Sequence, residues 1–266
     1  MKVTVKHCDI RILPAVMAIL FGLSSCSGIF ENVYDNPPEE KTVTMVGQIY
    51  VNASDWSAWH YIDLQEVNEA TAADPTFNPS SLWKHFEIPL ENTGNALSDS
   101  NPPGIYTYWY DVFGEGISKN EYRDFYPTAA QQEPENWSIA VHRNNVRTNG
   151  GEVARTEYHS LDQLPDGTAW TETLKFVRDE WNQKDVWTIQ DRMLLGLIGN
   201  QGIEINSCLS SWLEIAIPPM PPAFTHSDNV FVLRLADGSL AALQLENYQS
   251  ATGTKCCLTI NYMYPL

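Results

Sequence analysis

Polar and apolar residues alternate along much of this chain with a period of two. The clearest case is "NVFVLRLADGSLAALQLENY" (229–248), where two alternating runs flank Asp237-Gly238. Asp-Gly between such runs predicts a β-hairpin. "TVTMVGQIYVNA", "WHYIDLQ" and "GIYTYWYDVFG" are further β-like runs, rich in β-branched and aromatic residues and separated by Asn, Asp, Gly and Pro clusters. "NWSIAVHRNNVRTNGG" (136–151) predicts a strand running into a polar, Gly-ended loop, and "KCCLTINYMYPL" predicts a closing strand paired inside a sheet. Helical periodicity is sparse. Ile205, Cys208, Leu209 and Trp212 fall at i, i+3, i+4 and i+7, which predicts a short helix over 205–212. "SKNEYRDF" (118–125) predicts a helical turn or two, and 92–103 a loop-like insertion. The fold class is therefore all-β: a single antiparallel β domain with one or two short helices.

The ends of this pattern change the picture. Lys2, Lys6 and Arg11 precede an apolar run, Ile12 to Leu23, in the layout of a secretory signal too short for a membrane span. The run ends in "LSSC", which resembles a bacterial lipobox with Cys26 as the lipidated residue. Ordinary cleavage near Ser25, leaving Cys26 a free thiol, is the alternative. Residues 1–25 are thus read as a lipoprotein signal peptide, 26–41 as a flexible acidic tether ending after Pro-Pro, and 42–266 as the folded domain. A lipidated chain would be anchored to a membrane without spanning it.

Composition narrows function by exclusion. The formal charge is −17, and removal of the basic leader makes the remainder more acidic still. Such a surface repels nucleic acid and anionic headgroups. Cys208, Cys256 and Cys257 show no repeated spacing, so neither a disulfide framework nor a zinc site is indicated, although a disulfide involving Cys208 stays open. No nucleophile elbow, phosphate loop or metalloprotease helix is present, and "GEG" at 114–116 lacks a third glycine. His60, His85, His142, His159 and His226 lack metal-pair spacing. His142, in "VHRNNVR", is read as a structural residue between strand residues and cations. The chain is read as a binding protein and not as an enzyme.

The residues that carry a resemblance are "GIYTYWYDVFGEGISKNEYRDF", "PENWSIAVHRNNVRTNGG", "SSWLEI", "MPPAF", "LADGSLAALQLENY" and the ending "TINYMYPL". In this order, from about Val43 to Leu266, they are similar to the HmuY-like haem-binding lipoproteins of Bacteroidetes. The resemblance implies an all-β fold and a lipid anchor on the outer membrane, facing the cell surface. It also implies capture of haem and transfer to a TonB-dependent outer-membrane receptor. One departure matters. The best-known member holds haem iron with two histidines, one of them five residues after the Trp of "WLE"; here that place is Ile217. Several relatives look instead as though they use two methionines, the second in a Met-Pro-Pro segment. The matching positions here are Met193 and Met220, with His226 as an alternative ligand. Thioether sulfur is a known axial donor to haem iron, and the four prolines around Met220 would stiffen its backbone. Leu194, Leu195, Ile217 and Phe224 are the expected apolar lining of the haem pocket. The competing expectation, prompted by the missing histidines, is a surface module of the same fold that has lost haem and binds a glycan, a protein or another tetrapyrrole.

Overall fold

Alternation builds the largest sheet. The computed structural model describes residues 47–90, 104–108, 121–127, 129–188, 197–216 and 221–266, all within the compact unit Thr42–Leu266. Its six-stranded antiparallel sheet runs in the order β1 (Gln48–Asn52), β17 (Lys255–Met263), β16 (Leu240–Gln249), β15 (Phe231–Arg234), β8 (Glu152–Arg155), β9 (Val177–Arg178). The closing strand β17 lies between β1 and β16, so its backbone groups are paired on both sides, as expected for a terminal strand held inside a sheet. Ile49 opposes Ile260 and Val51 opposes Leu258, apolar cross-strand pairs that register the two strands. The predicted hairpin is β15–β16. Gly238 takes φ +87° in its turn, which glycine allows without strain. The Asp237 carboxylate accepts the backbone N–H and the hydroxyl of Ser239 at 2.9 and 2.6 Å, and these bonds hold its pKa below the usual carboxylate value.

A four-stranded sheet, ordered β3 (Lys84–Glu87), β2 (Ala58–Ile62), β6 (Ile139–His142), β7 (Asn145–Thr148), packs against the first. Side chains alternate across a strand, so β2 and β6 send residues to two cores. Ile62, Ile139 and Val141 join Val51, Phe231 and Leu243 between the sheets. Trp59, Tyr61 and Ala140 face the other way, onto Trp137, Val186, Ile203 and Ile205. Every residue of β2 is consequently buried. Three smaller pieces complete the described chain: β4 (Gly104–Tyr108) between β5 (Glu121–Phe125) and β11 (Leu197–Asn200), the pair β10 (Glu180–Asn182) and β12 (Ile203–Ile205), and the pair β13 (Leu213–Ala216) and β14 (Ala223–His226).

Four local expectations need correction. The stretch 205–212 is not one helix but the end of β12, a single turn α2 (Ser207–Ser210), and a return into β13. Asn206 stops the helix from extending backwards. Its Oδ1 caps the Leu209 N–H at 2.9 Å, while its amide donates to Val177 O and Asp179 Oδ1. Leu209 and Trp212 do bury the predicted face. The segment 145–148, expected as loop, is strand β7, because Val146 and Thr148 alternate inward between polar neighbours. Residues 121–125, expected as helical turns, are strand β5, paired with β4. A ten-residue helix, α1 (Leu64–Ala73), was not anticipated. Its cap is Asp63, whose carboxylate accepts the N–H groups of Gln65 and Glu66 at 3.0 and 3.4 Å. Asp63 followed three residues later by Glu66 is the sequence signal for this start.

Candidate functional site

A cavity of about 1150 Å³ opens where the β6–β7 turn, the β1–β2 connection, the α2–β13 segment and the start of β17 meet. Turn geometry places its first wall. Two residues, Arg143 and Asn144, join β6 to β7, and Arg143 takes φ +56° while Asn144 does not take positive φ. Glycine is the usual residue at the first position of such a hairpin turn. From this turn the Arg143 side chain reaches the β1–β2 connection. There its guanidinium stacks 3.7 Å from the Trp56 ring centroid and donates to the carbonyl of Ser54 at 2.9 Å. Burial pulls the Arg143 pKa down from its ordinary value, and the group stays cationic at neutral pH.

Aromatic rings line the same space. Trp56 and Trp187 lie nearly parallel, 13° between planes and 6.2 Å between centroids. The Trp187 indole N–H is held by the carbonyl of Lys184 at 2.8 Å. At another part of the lining, Phe224 stacks on Tyr248 with 5° between planes and 5.9 Å between centroids. Lys255 Nζ sits 4.8 Å from the Tyr248 centroid and 5.6 Å from that of Phe224, and donates to Gln249 Oε1 at 2.6 Å. Leu213, Ile215, Pro221 and Pro222 add apolar surface.

His142 also lines the cavity and is fully buried. Its Nε2 donates to the Trp56 carbonyl at 3.0 Å, and its ring tilts against Trp59 at 5.3 Å. Desolvation pushes its pKa down to about 4, so the imidazole is neutral at physiological pH, and Nδ1 has no hydrogen-bond partner. A second cavity, about 750 Å³, is bordered by Asp63, Glu66, Glu69, Glu135 and Asp237 with Lys84. Its acidic rim repels anions. Among the described residues no group of three or more His, Cys, Asp or Glu converges to hold a bare metal ion.

The predicted site residues divide. Met193, Leu194, Leu195, Ile217, Met220 and Cys26 lie outside the described residues. Phe224 lines the larger cavity, half-buried on β14. His226, two residues further on, does not line it; its Nε2 donates to the carbonyl of Leu245 at 2.5 Å, which ties β14 to β16. Residues adjacent in sequence to the two methionine segments line this cavity. Trp187 precedes 189–196 by two residues, Ala216 and Pro221 bracket 217–220, and all three line it. Trp56, Trp187, Arg143 and Lys255 were not singled out from sequence. The available signal was a cation at a two-residue turn in "VHRNNVR", next to His142.

Comparison with known proteins agrees with this frame. The model of the HmuY protein family matches residues 55–262. The chain belongs to the HmuY family. Among solved structures, this HmuY-family chain is similar to a candidate HmuY-like haem-binding protein from Bacteroides vulgatus, with TM-score 0.55 and 26% identity over 82% of this chain and 91% of that one. A candidate lipoprotein from Bacteroides fragilis matches with TM-score 0.55 and 25% identity, over 82% and 89%. The apo HmuY analogue of Tannerella forsythia shares the fold at TM-score 0.52 and 19% identity, over 81% and 93%. No curated protein matches the chain.

Proposed function

We propose that this HmuY-family chain is a haem-binding lipoprotein of the outer membrane, facing the cell surface, that captures haem and passes it to a TonB-dependent uptake receptor. The observation that carries the reading is the larger cavity: apolar and aromatic walls, the cations Arg143 and Lys255 beside Asp185 and Glu214, and lining residues on both sides of 217–220 in sequence. Its volume of about 1150 Å³ suits a ligand at or above the usual upper size for small-molecule pockets, roughly 1,000 Å³. The likeness to a candidate haem-binding protein supports the same ligand. In this proposal Met193 and Met220 supply thioether ligands to the iron, and Cys26 carries the lipid after removal of 1–25. The acidic tether 26–41 holds the body off the membrane. Soft sulfur donors favour ferrous over ferric iron.

The test is a haem titration of the protein lacking residues 1–25, followed at the Soret band with and without dithionite. A saturable shift, tighter under reduction, is expected. Met193→Ala with Met220→Ala should abolish the six-coordinate low-spin spectrum. No saturable shift in either redox state rejects haem and leaves the glycan- or protein-binding alternative, for which the Trp56–Trp187 pair would be the platform. Retention of the low-spin spectrum in the double variant rejects the methionines.

A further inference from the structure

Four described cations are matched to carboxylates, while Arg155 bonds the Asn229 side-chain oxygen instead. Arg147 meets Glu133 at 2.5 Å, Lys84 meets Glu66 at 3.3 Å, and Glu152 takes both Arg234 and Arg178, at 2.5 and 3.5 Å. Arg143 and Lys255 are different. Neither forms an ion pair among the described residues, and both line the larger cavity. In a protein of formal charge −17, two cations that line one cavity with Asp185 and Glu214, yet pair with neither, need a reason.

Arg143 is the stronger case. A guanidinium carries five N–H donors in a planar fork that suits a carboxylate. One donor is engaged, by the Ser54 carbonyl, while stacking on Trp56 fixes the plane of the fork. Lys255 stands across one backbone junction from it. The Ala53 N–H donates to the carbonyl of Cys256 at 3.0 Å, so Ser54, which holds Arg143, and Lys255 are each one residue from that bond. Each cation is also seated on a parallel aromatic pair, Arg143 on Trp56–Trp187 and Lys255 on Tyr248–Phe224. A guanidinium, an ammonium and flat apolar walls on one cavity complement a flat apolar body that bears two carboxylates.

We infer that Arg143 and Lys255 recognise the carboxylates of the bound ligand, so that the cavity selects planar apolar dicarboxylates whether or not they contain iron. The inference rests on the tetrapyrrole reading above for the planar body, and is independent of the methionine ligands. It assigns selectivity to the acid groups: a metal-free porphyrin diacid binds, and its esterified form binds more weakly.

Quenching of tryptophan fluorescence by metal-free protoporphyrin IX and by its dimethyl ester tests this, in the intact protein and in Arg143→Asn and Lys255→Gln. Asn tolerates the positive φ at 143, and Lys255→Gln leaves the turn untouched. The diacid should bind saturably, at least tenfold tighter than the ester. Each variant should lose roughly tenfold for the diacid, about 1.4 kcal/mol, and little for the ester. Equal affinity for diacid and ester overturns the inference, as do variants that weaken both alike. Haem binding without diacid binding also overturns it and assigns recognition to iron alone. Failure of haem and both porphyrins removes the tetrapyrrole reading as well, which separates the two failures.

Discussion

Acid should destabilise this protein through two buried histidines. His60 is 4% exposed and His142 fully buried, and desolvation lowers both pKa values to about 4. Each Nδ1 lacks a hydrogen-bond partner, and the favourable charge of nearby Asp55 is outweighed by desolvation. In the unfolded chain both would titrate near the ordinary value of 6.5. The depressed group is a base, so the unfolded state binds the proton first. Stability is whole above about 6.5 and falls as pH drops from there to about 4. At pH 5 linkage gives a loss of about 2 kcal/mol for each ring, roughly 4 for the pair. Asp179 works the other way. Burial raises its carboxyl pKa, against hydrogen bonds from Thr148 and Asn206 that lower it, so it favours the folded state in acid and trims the loss. Asp55 and Asp237 have lowered pKa values and act below this window. Urea unfolding at pH 7.5 and 5.0, followed by tryptophan fluorescence, measures the difference. The His60→Gln/His142→Gln variant should show little of it. A wild-type loss under about 1 kcal/mol, or a variant that keeps the whole slope, would refute the argument.

Other expectations concern the frame. Gly104→Ala would set a Cβ 2.1 Å from Asn200 O and 2.6 Å from Gly202 N. Both are backbone atoms, so a cost at the upper end of the roughly 1–3 kcal/mol typical of overpacking is expected, read as a lower thermal midpoint. Asp63→Ala removes the cap of α1 and should cost about 1 kcal/mol by urea titration, with Asp63→Asn near neutral. An unchanged midpoint for Gly104→Ala would mean that β4 and β11 are not tightly paired, and one for Asp63→Ala that the cap contributes nothing.

Long alternating strands were legible from the chain alone. The 229–248 hairpin and the interior closing strand follow from period-two patterning and an Asp-Gly turn, which are local properties. Short elements were not. Residues 145–148 carry Asn and Arg and pass for loop until Val146 and Thr148 find a core to face. The 205–212 pattern buries its predicted side, yet Asn206 spends its side chain on a cap and on Asp179, a partner distant in sequence, and confines the helix to one turn. The family resemblance pointed to haem through methionines at 193 and 220, which lie outside the described residues.

The sequence by itself determined the class of fold and the family, because alternation, turn residues and ordered motifs are written along the chain. Tertiary structure decided which charges lack partners. Arg143 and Lys255 are ordinary cations in the sequence, 112 positions apart. Only when β1 pairs with β17, and the β6–β7 turn closes over Ser54, do they line one cavity, where neither forms an ion pair with a described carboxylate. Charge pairing depends on distances of a few ångströms in space, and separation along the chain does not report them.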